Sequence, residues 1–373
     1  MKNHVLLTSP LKTMIPIIKP VGNCCNLRCS YCFYNANDQS SYHVMNFELL
    51  EKFLSEYMFL FDEHLSFIWH GGEPLIAGIS FFEEVVKIQS SNIRDGQKIQ
   101  NFIQTNATLI DDDWADFFKK HQFRVGISLD GSKENHDRFR KNNNGKGTFT
   151  SVLNGLQILR QHGIKPGFIQ TITSSGLSST RENFHFFTNQ LGIKKWGTNV
   201  YLNLEQDGVR ADNQSLTNKQ LTKFLKEQID LWLDKDDPNL ALREIENFIV
   251  AILGKKSMGC SFNGSCSGYF CLEYDGKIYP CDRSSGQSNF LLGDISRFSL
   301  LDILNGQKRL SYAKNVNNLH QDCIMCKWKK ACHNGCTMHR KGGIQGKYYY
   351  CETRKEIFTY LKNKVGKIKS SPI

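Results

Sequence analysis

The sequence predicts an α/β fold: an open, partial barrel of six βα units, followed by a small cysteine-rich domain. Between residue 14 and about residue 204, short apolar runs alternate with longer amphipathic runs, as in parallel strands joined by helices. Six units are too few to close an eight-stranded barrel, so we expect an open one. Beyond Lys256 the composition shifts to glycine and cysteine with few long periodic runs, which indicates a second domain.

Each expected element follows from its apolar spacing. The expected strands are Ile15–Ile18, Ser66–Trp69, Lys98–Gln104, Arg124–Ser128, Gly167–Thr173 and Thr198–Leu202. The expected helices are Phe47–Phe61, Phe81–Gln89, Asp112–Lys120, Phe149–Gln161 and Arg181–Leu191. We divide the chain into an N-terminal extension (1–13), the barrel (14–235), a helical connector (236–256) and the cysteine-rich domain (257–373). With so short an extension, any leader peptide is expected to bind the catalytic body or a separate protein.

Composition narrows the class of protein. Thirteen cysteines in 373 residues, without a signal-peptide pattern, indicate metal ligands in a reducing cytoplasm more than secreted disulfides. No stretch approaches the roughly 20 apolar residues that span a bilayer, so we expect no membrane association. The net charge of +11 would suit nucleic acid. Cysteine thiolates and their clusters would bring it to about +6, and the basic residues are dispersed, so we expect no nucleic-acid partner.

Three cysteines, Cys25, Cys29 and Cys32, follow the first strand in the string CNLRCSYC. A closed structural metal site takes four protein ligands, whereas three leave one metal position open for a small molecule. The spacing therefore indicates a reactive iron–sulfur centre. Other polar or glycine-bearing motifs end the next three strands, where such barrels carry their chemistry: HGGEP at 70–74, QTN at 104–106 and SLDG at 128–131.

The second domain contains more cysteines than one structural metal site needs. The run Cys323–Cys336 alone, CxxCx5Cx3C, fits a structural zinc as well as an iron–sulfur cluster. Two four-thiolate clusters need eight ligands, and in compact two-cluster modules one cysteine of a tight run often serves the other cluster. Cys24 and Cys271 fall outside every ligand pattern and are interpreted as ordinary buried thiols.

Together these motifs resemble the radical S-adenosylmethionine (SAM) enzymes. That family has an aromatic residue before the third cysteine, here Tyr31, and a glycine-rich GGEP segment. The later cysteines, with Gly276 five positions before Cys281, resemble the family's auxiliary-cluster extension, the SPASM domain. The resemblance implies a partial (β/α)6 TIM-like barrel followed by a small cysteine-rich iron–sulfur SPASM domain. It also implies SAM and three [4Fe–4S] clusters as cofactors, one that binds SAM and two auxiliary.

The resemblance assigns roles to individual residues. The expected cluster ligands are Cys25, Cys29, Cys32, Cys260, Cys266, Cys281, Cys323, Cys326, Cys332, Cys336 and Cys351. The expected SAM contacts are Tyr31, Gly71, Gly72, Glu73, Thr105, Asn106, Ser128 and Arg140. Asp282 matches an aspartate that acts as a base in anaerobic sulfatase-maturating members, although an aspartate after a ligand cysteine is also a common turn residue.

Two subgroups of the family match closely. The sulfatase-maturating enzymes, which convert serine or cysteine to formylglycine, share the GGEP, QTNxTLID, SLDG and YPCD segments. The stretch 199–209 and WHGGEPL at 69–75 instead resemble maturases of ribosomally made peptides that form carbon–carbon cyclophane crosslinks. We favour a maturase that abstracts a side-chain β-hydrogen from a precursor peptide and crosslinks that carbon to an aromatic residue, with formylglycine formation as the alternative. A third alternative is a non-catalytic electron-transfer protein. The resemblance implies a precursor peptide or a sulfatase as substrate, and an electron donor such as flavodoxin or ferredoxin.

Overall fold

One ten-stranded sheet organises the chain in the computed structural model, which describes residues 14–34, 42–204 and 208–370, with side chains to residue 364. The expected extension 1–13 lies outside the described residues. The strands are β1 Ile15–Lys19, β2 His64–Trp69, β3 Lys98–Thr105, β4 Arg124–Ser128, β5 Gly167–Ile172, β6 Lys195–Val200, β7 Ala241–Leu242, β8 Tyr269–Glu273, β9 Lys277–Tyr279 and β10 Gly293–Asp294. The six strands expected for the barrel are therefore confirmed, five of them with ends shifted by one to three residues.

The order of the sheet joins the two predicted domains. It runs β10-β9-β8-β1-β2-β3-β4-β5-β6-β7, with β1 to β6 parallel as βαβ connections require. Strand β8, from the cysteine-rich part, pairs in parallel with β1 from Ile15–Tyr269 to Lys19–Glu273. The second domain therefore continues the barrel sheet at its first strand, which brings the residues after β8 to the ends of β1 and β2.

The helices cover the strands as βαβ topology requires. They are α1 Phe47–Leu60, α2 Ile79–Asn92, α3 Asp112–Lys120, α4 Lys133–Phe139, α5 Phe149–Gln161, α6 Thr180–His185, α7 Asn218–Lys235, α8 Arg243–Ile252, α9 Cys260–Asn263, α10 Leu300–Asn305, α11 Gln307–Asn317, α12 Gln321–Ile324, α13 Lys329–Cys332 and α14 Cys351–Ser370. Side chains of Asn46 and Asp111 accept backbone N–H groups at the starts of α1 and α3, which fixes those ends.

Three of the differences from the expected elements change the local architecture. The sixth strand begins at Lys195, not Thr198, because Trp196 points into the core and pairs with Phe168 of β5. The helix expected at 181–191 continues as a π-helical turn, Phe186–Gln190. The connector, expected to be helical only, also contains β7, which pairs in parallel with β6.

Aromatic side chains fill the space between the helices and the sheet. Trp69 and Phe82 are fully buried and pack edge to face with their ring centroids 5.4 Å apart, and Trp114 extends the cluster at 5.7 Å from Phe82. Burying each such side chain contributes about 2 to 3 kcal/mol to folding. The phenylalanine-rich helices are thus core elements. Among the described residues, no helix is both long and apolar enough to cross a membrane.

Candidate active site

The first three cysteines lie on a loop directly after β1. Cys25, Cys29 and Cys32 are close enough for the charge of each thiolate to act on the others. The Cys25–Cys32 loop is held from outside the motif, because Arg28 N donates to Lys141 O at 2.7 Å and Ser30 N to Phe139 O at 3.0 Å. These hydrogen bonds tie the backbone of the cysteine loop to the end of α4 and the segment that follows it.

The HGGEP segment at the end of β2 runs alongside this loop. Gly72 N donates to Gly22 O and Glu73 N to Cys24 O, both at 2.8 Å. Only glycine fits here: a Cβ at residue 72 would lie 1.9 Å from the Cys24 carbonyl oxygen, and Gly71 has φ +114°. The two glycines therefore allow the strand end to approach the first ligand cysteine closely.

Glu73 is fully buried and organises the end of β3. Its carboxylate accepts hydrogen bonds from Thr105 Oγ1 and Asn106 N, both at 2.7 Å. Burial raises the pKa of Glu73 to about 7, although these donors oppose the rise. Asn106 Nδ2 in turn donates to Asn26 Oδ1 at 2.8 Å and lies 3.9 Å from Cys25 Sγ. The structure thus gathers three of the expected SAM contacts beside the first cysteine.

Asp130, in the SLDG motif, joins two further expected contacts. Its carboxylate accepts hydrogen bonds from the Tyr31 hydroxyl, from Arg140 Nε at 2.9 Å and from Thr171 N at 2.8 Å. The Arg140 guanidinium also lies 5.5 Å from the centre of the Tyr31 ring. Arg140 is therefore a buried, paired charge and not part of a solvated basic face.

Ser128, the remaining expected SAM contact, ends β4. Its Oγ accepts a hydrogen bond from Gln104 Nε2 at 3.1 Å. The Gln104 side chain crosses over Gly126, where an added Cβ would come within 2.3 Å of it. All eight expected SAM contacts thus lie on the Cys25–Cys32 loop, at the ends of β2 to β4 or just after α4, whereas their contacts with SAM stay a prediction.

Asp130 is the shared partner in this region, so its loss should weaken SAM binding. In Asp130→Ala, Tyr31 and Arg140 lose a buried charged partner. We expect SAM affinity to fall by about ten- to hundredfold, measured by equilibrium dialysis with the reconstituted enzyme. Asp116→Ala, an exposed carboxylate on α3, is the matched control. Equal affinities in both variants would contradict the assignment.

The buried His136 contacts Asp130 and makes the stability of the fold depend on pH. Its buried Nδ1 accepts Asp130 N at 3.4 Å, and burial lowers the pKa of His136 to about 4. As pH falls, His136 is therefore protonated in the unfolded chain at a higher pH than in the folded protein. The free energy of unfolding decreases as pH drops below about 6.5. Between pH 7.5 and pH 5 we expect wild type to lose about 2 kcal/mol more unfolding free energy than His136→Gln, measured by urea titration. Equal losses in the two proteins would contradict this.

The eight expected ligand cysteines of the second domain form two groups in space. Within each group the thiols are close enough for their thiolate charges to interact. The inner group is Cys260, Cys266, Cys281 and Cys336, and the outer group is Cys323, Cys326, Cys332 and Cys351. Thr337 Oγ1 also donates to Cys266 Sγ at 2.9 Å. Cys336, the last cysteine of the tight run, thus stands with the inner group, as expected for a run that serves two clusters. Cys24 and Cys271 join neither group, and Cys271 is fully buried in β8.

Asp282 lies beside the inner group, where the Cys281 thiol donates to Asp282 Oδ1 at 3.1 Å. Burial would raise the pKa of Asp282, but Arg283, His70 and Lys19 outweigh it and hold that pKa below its ordinary value. The carboxylate is therefore ionised, and Arg283 has the largest part in holding its pKa down. Asp282 also begins the turn Asp282–Ser284, and its catalytic role stays a prediction.

A chamber of about 680 Å³ opens between the two parts of the chain. It is lined from the barrel side by Lys19, Tyr34 and Tyr201, and from the second domain by Glu273, Arg283 and His339. Arg283 and His339 also line a neighbouring cavity of about 420 Å³ that reaches Asp282 and the inner cysteines Cys260 and Cys336. A side chain held in the chamber would thus lie near both the Cys25–Cys32 loop and the inner group of cysteines.

A buried ion pair joins the walls of this chamber. Lys19 Nζ lies 2.8 Å from Glu273 Oε1 and 4.0 Å from the centre of the Tyr34 ring, with the lysine 1% exposed. Lys19→Met leaves Glu273 without its cation, so we expect unfolding free energy to fall by about 3 to 5 kcal/mol in urea titrations. Lys19→Met/Glu273→Gln should recover part of it. A double variant as unstable as the single one would contradict the pairing.

Several of these residues could not be singled out from the sequence. Asp130 carried a signal, since it lies inside SLDG, but nothing marked it as the partner of Tyr31. Lys19 and Glu273 are 254 positions apart and meet only because β8 pairs with β1. Asn26 lies inside the cysteine motif, where its amide reads as an ordinary loop residue.

The donor set fits iron–sulfur clusters. Three groups of thiols are present, one of three and two of four, and thiolates are the ligands of such clusters. The Cys323–Cys336 run supplies three thiols to the outer group and one to the inner group. This division fits two four-thiolate clusters better than a single zinc held by the run alone.

Comparison with known proteins gives the family. A model described as the Radical SAM superfamily matches residues 20–182, and one described as an iron–sulfur cluster-binding domain (SPASM) matches residues 260–333. The cysteine-type anaerobic sulfatase-maturating enzyme of Clostridium perfringens is 32% identical over 92% of this chain and 95% of its own. The serine-type enzyme of Bacteroides thetaiotaomicron is 28% identical over 94% and 90%.

A solved structure agrees with these relatives. Native anSMEcpe with bound AdoMet and Cp18Cys peptide superposes with a TM-score of 0.86 at 32% identity, over 95% of this chain and 99% of that one. The likeness covers both the barrel and the cysteine-rich part. The chain therefore belongs to the radical SAM superfamily, with a C-terminal iron–sulfur SPASM domain, and its cofactors are SAM and [4Fe–4S] clusters.

Proposed function

We propose that this enzyme modifies a protein or peptide substrate by oxidising a cysteine or serine side chain to formylglycine. The full-length likeness to anaerobic sulfatase-maturating enzymes supports this alternative over the crosslinking reaction that the sequence favoured. The single observation that carries the proposal is the ionised Asp282 beside the inner cysteines, in the cavity next to the chamber. It corresponds to the aspartate that acts as a base in that subgroup.

The arrangement suits a two-electron oxidation. When bound, SAM and its cluster supply a 5′-deoxyadenosyl radical that takes one hydrogen atom from the substrate β-carbon. The chamber holds the side chain and limits its contact with water. Asp282 would accept the hydroxyl or thiol proton. Cys260, Cys266, Cys281 and Cys336 would hold a cluster, and that cluster is what would take up the electron that the substrate loses. Serine yields the aldehyde directly, whereas cysteine yields a thioaldehyde that water converts to the aldehyde with release of hydrogen sulfide.

Cyclophane formation is the second candidate. The stretch 199–209 resembles a segment of the crosslinking maturases, and its residues 201–204 line the chamber. Residues 205–207 lie outside the described residues. Family membership rules out the third alternative, a non-catalytic electron-transfer protein, and the electron donor stays a prediction.

Product analysis separates the two candidates. The enzyme is incubated without oxygen with SAM, dithionite and two peptides that carry cysteine or serine in a sulfatase sequence. We expect a product that a hydrazide probe traps as an aldehyde, and that fragments normally at every peptide bond in the mass spectrometer. A product without a trappable aldehyde and with an unfragmentable internal segment would support the crosslink and overturn the proposal.

A further inference from the structure

An exposed apolar tip lies between two outer cysteines. Met325 is 92% exposed and Ile324 59% exposed, directly between Cys323 and Cys326. Methionine is flexible and polarisable, and such side chains adapt to varied protein surfaces. The tip therefore places an apolar contact at the edge of the outer group.

Three exposed lysines follow this apolar tip in the sequence. Lys327, Lys329 and Lys330 are exposed, and none has a carboxylate partner among the residues the structure describes. Asp322 is the only carboxylate between residues 321 and 333, and Lys347 already binds it at 3.0 Å. We call Ile324, Met325, Lys327, Lys329 and Lys330 the lysine–methionine patch.

Aromatic packing and a backbone hydrogen bond fix the position of the patch. Trp328, between the lysines, stacks on Phe358 of α14 with the ring centroids 4.9 Å apart, and its carbonyl accepts Cys332 N at 2.9 Å. The apolar tip and its positive rim are thus held at a fixed position relative to the outer cysteines. An apolar centre with a charged rim is the usual anatomy of a protein interface.

We propose that the lysine–methionine patch docks a small acidic one-electron carrier protein. The positive rim attracts and orients an acidic partner, and the small area suits the weak complexes in which electron carriers act. Across the contact one electron passes, one partner is oxidised and the other reduced, and no bond forms or breaks. A second copy of this chain fits poorly because both copies carry a positive net charge, +11 without and about +6 with the clusters. The inference rests on the family's clusters and not on the proposed product.

Binding and crosslinking test the docking surface, with a bacterial flavodoxin as the probe. Calorimetry with the cluster-loaded full chain should show affinity that falls as sodium chloride rises from about 50 to about 300 mM. Lys327→Glu/Lys329→Glu/Lys330→Glu should weaken it by about tenfold or more. Lys119→Glu/Lys120→Glu/Lys165→Glu, which also reverses three exposed lysines but lies in the barrel, should bind as wild type does. SAM cleavage driven by dithionite should persist in both variants.

Wild-type crosslinking keeps the test decisive if the triple variant loses iron. Carbodiimide coupling of lysine amines to flavodoxin carboxylates should map to Lys327, Lys329 and Lys330. Three results would overturn the docking site: crosslinks only elsewhere, unchanged affinity in an iron-replete triple variant, or a wild-type dimer that the variant dissociates. Because flavodoxin binding needs no substrate, failure of the proposed function would leave these results unaffected.

Discussion

Asp282→Asn should abolish most product formation while SAM cleavage continues. The amide keeps the shape of the carboxylate but cannot take up a proton, so the substrate radical cannot lose its proton at this position. A positioned base contributes about a hundredfold or more to a proton-transfer step. We therefore expect aldehyde product to fall by at least that factor, while 5′-deoxyadenosine still forms, measured together by mass spectrometry in one anaerobic reaction.

The control must separate this role from a general effect of charge. Asp275, in the turn before β9, is half-buried, pairs with Lys277 and does not line the chamber. Asp275→Asn should therefore make product as wild type does. Because Asp282 adjoins Cys281, iron content must match wild type for the comparison to count. An iron-replete Asp282→Asn enzyme that makes product at the wild-type rate would show that another group takes the proton.

Gly72→Ala should disable SAM chemistry while every cluster cysteine stays in place. The added Cβ would lie 1.9 Å from the Cys24 carbonyl oxygen, a distance no non-bonded carbon tolerates, so the strand end or the cysteine loop must move. Overpacking of this kind costs about 1 to 3 kcal/mol, and the displaced backbone includes the hydrogen bond from Glu73 N to Cys24 O. We expect SAM cleavage to fall by about tenfold or more, measured as 5′-deoxyadenosine under dithionite.

Gly167→Ala is the matched control for this variant. Gly167 also belongs to a barrel strand, but a Cβ there meets nothing within 4 Å. That enzyme should cleave SAM at the wild-type rate. Wild-type cleavage in Gly72→Ala would mean that the close approach of HGGEP to the cysteine loop is not needed.

Local patterns in the sequence were enough to predict the barrel. Strand β4 and helices α3 and α5 begin and end where their apolar spacing indicates, since each buries one regular face. The glycines of HGGEP and the cysteine spacing also marked the site, because close backbone approach and metal binding each demand a particular residue type. These signals lie within a few neighbouring residues.

Contacts between distant parts of the chain could not be predicted. Strand β8 pairs with β1 across more than 250 residues, and no local spacing encodes that choice of partner. The same pairing brings Glu273 to Lys19. The placement of Cys336 with the inner group depends on how the chain turns after α13, which the spacing alone leaves open.

We infer that this enzyme takes a β-hydrogen from a cysteine or serine and leaves an aldehyde. A peptide whose target residue carries two deuterium atoms on its β-carbon reports on both steps at once. We predict that 5′-deoxyadenosine gains one deuterium and that the trapped aldehyde retains the other, both read by mass spectrometry after a single anaerobic turnover. Unlabelled 5′-deoxyadenosine, or a product that retains both deuterium atoms, would contradict the account.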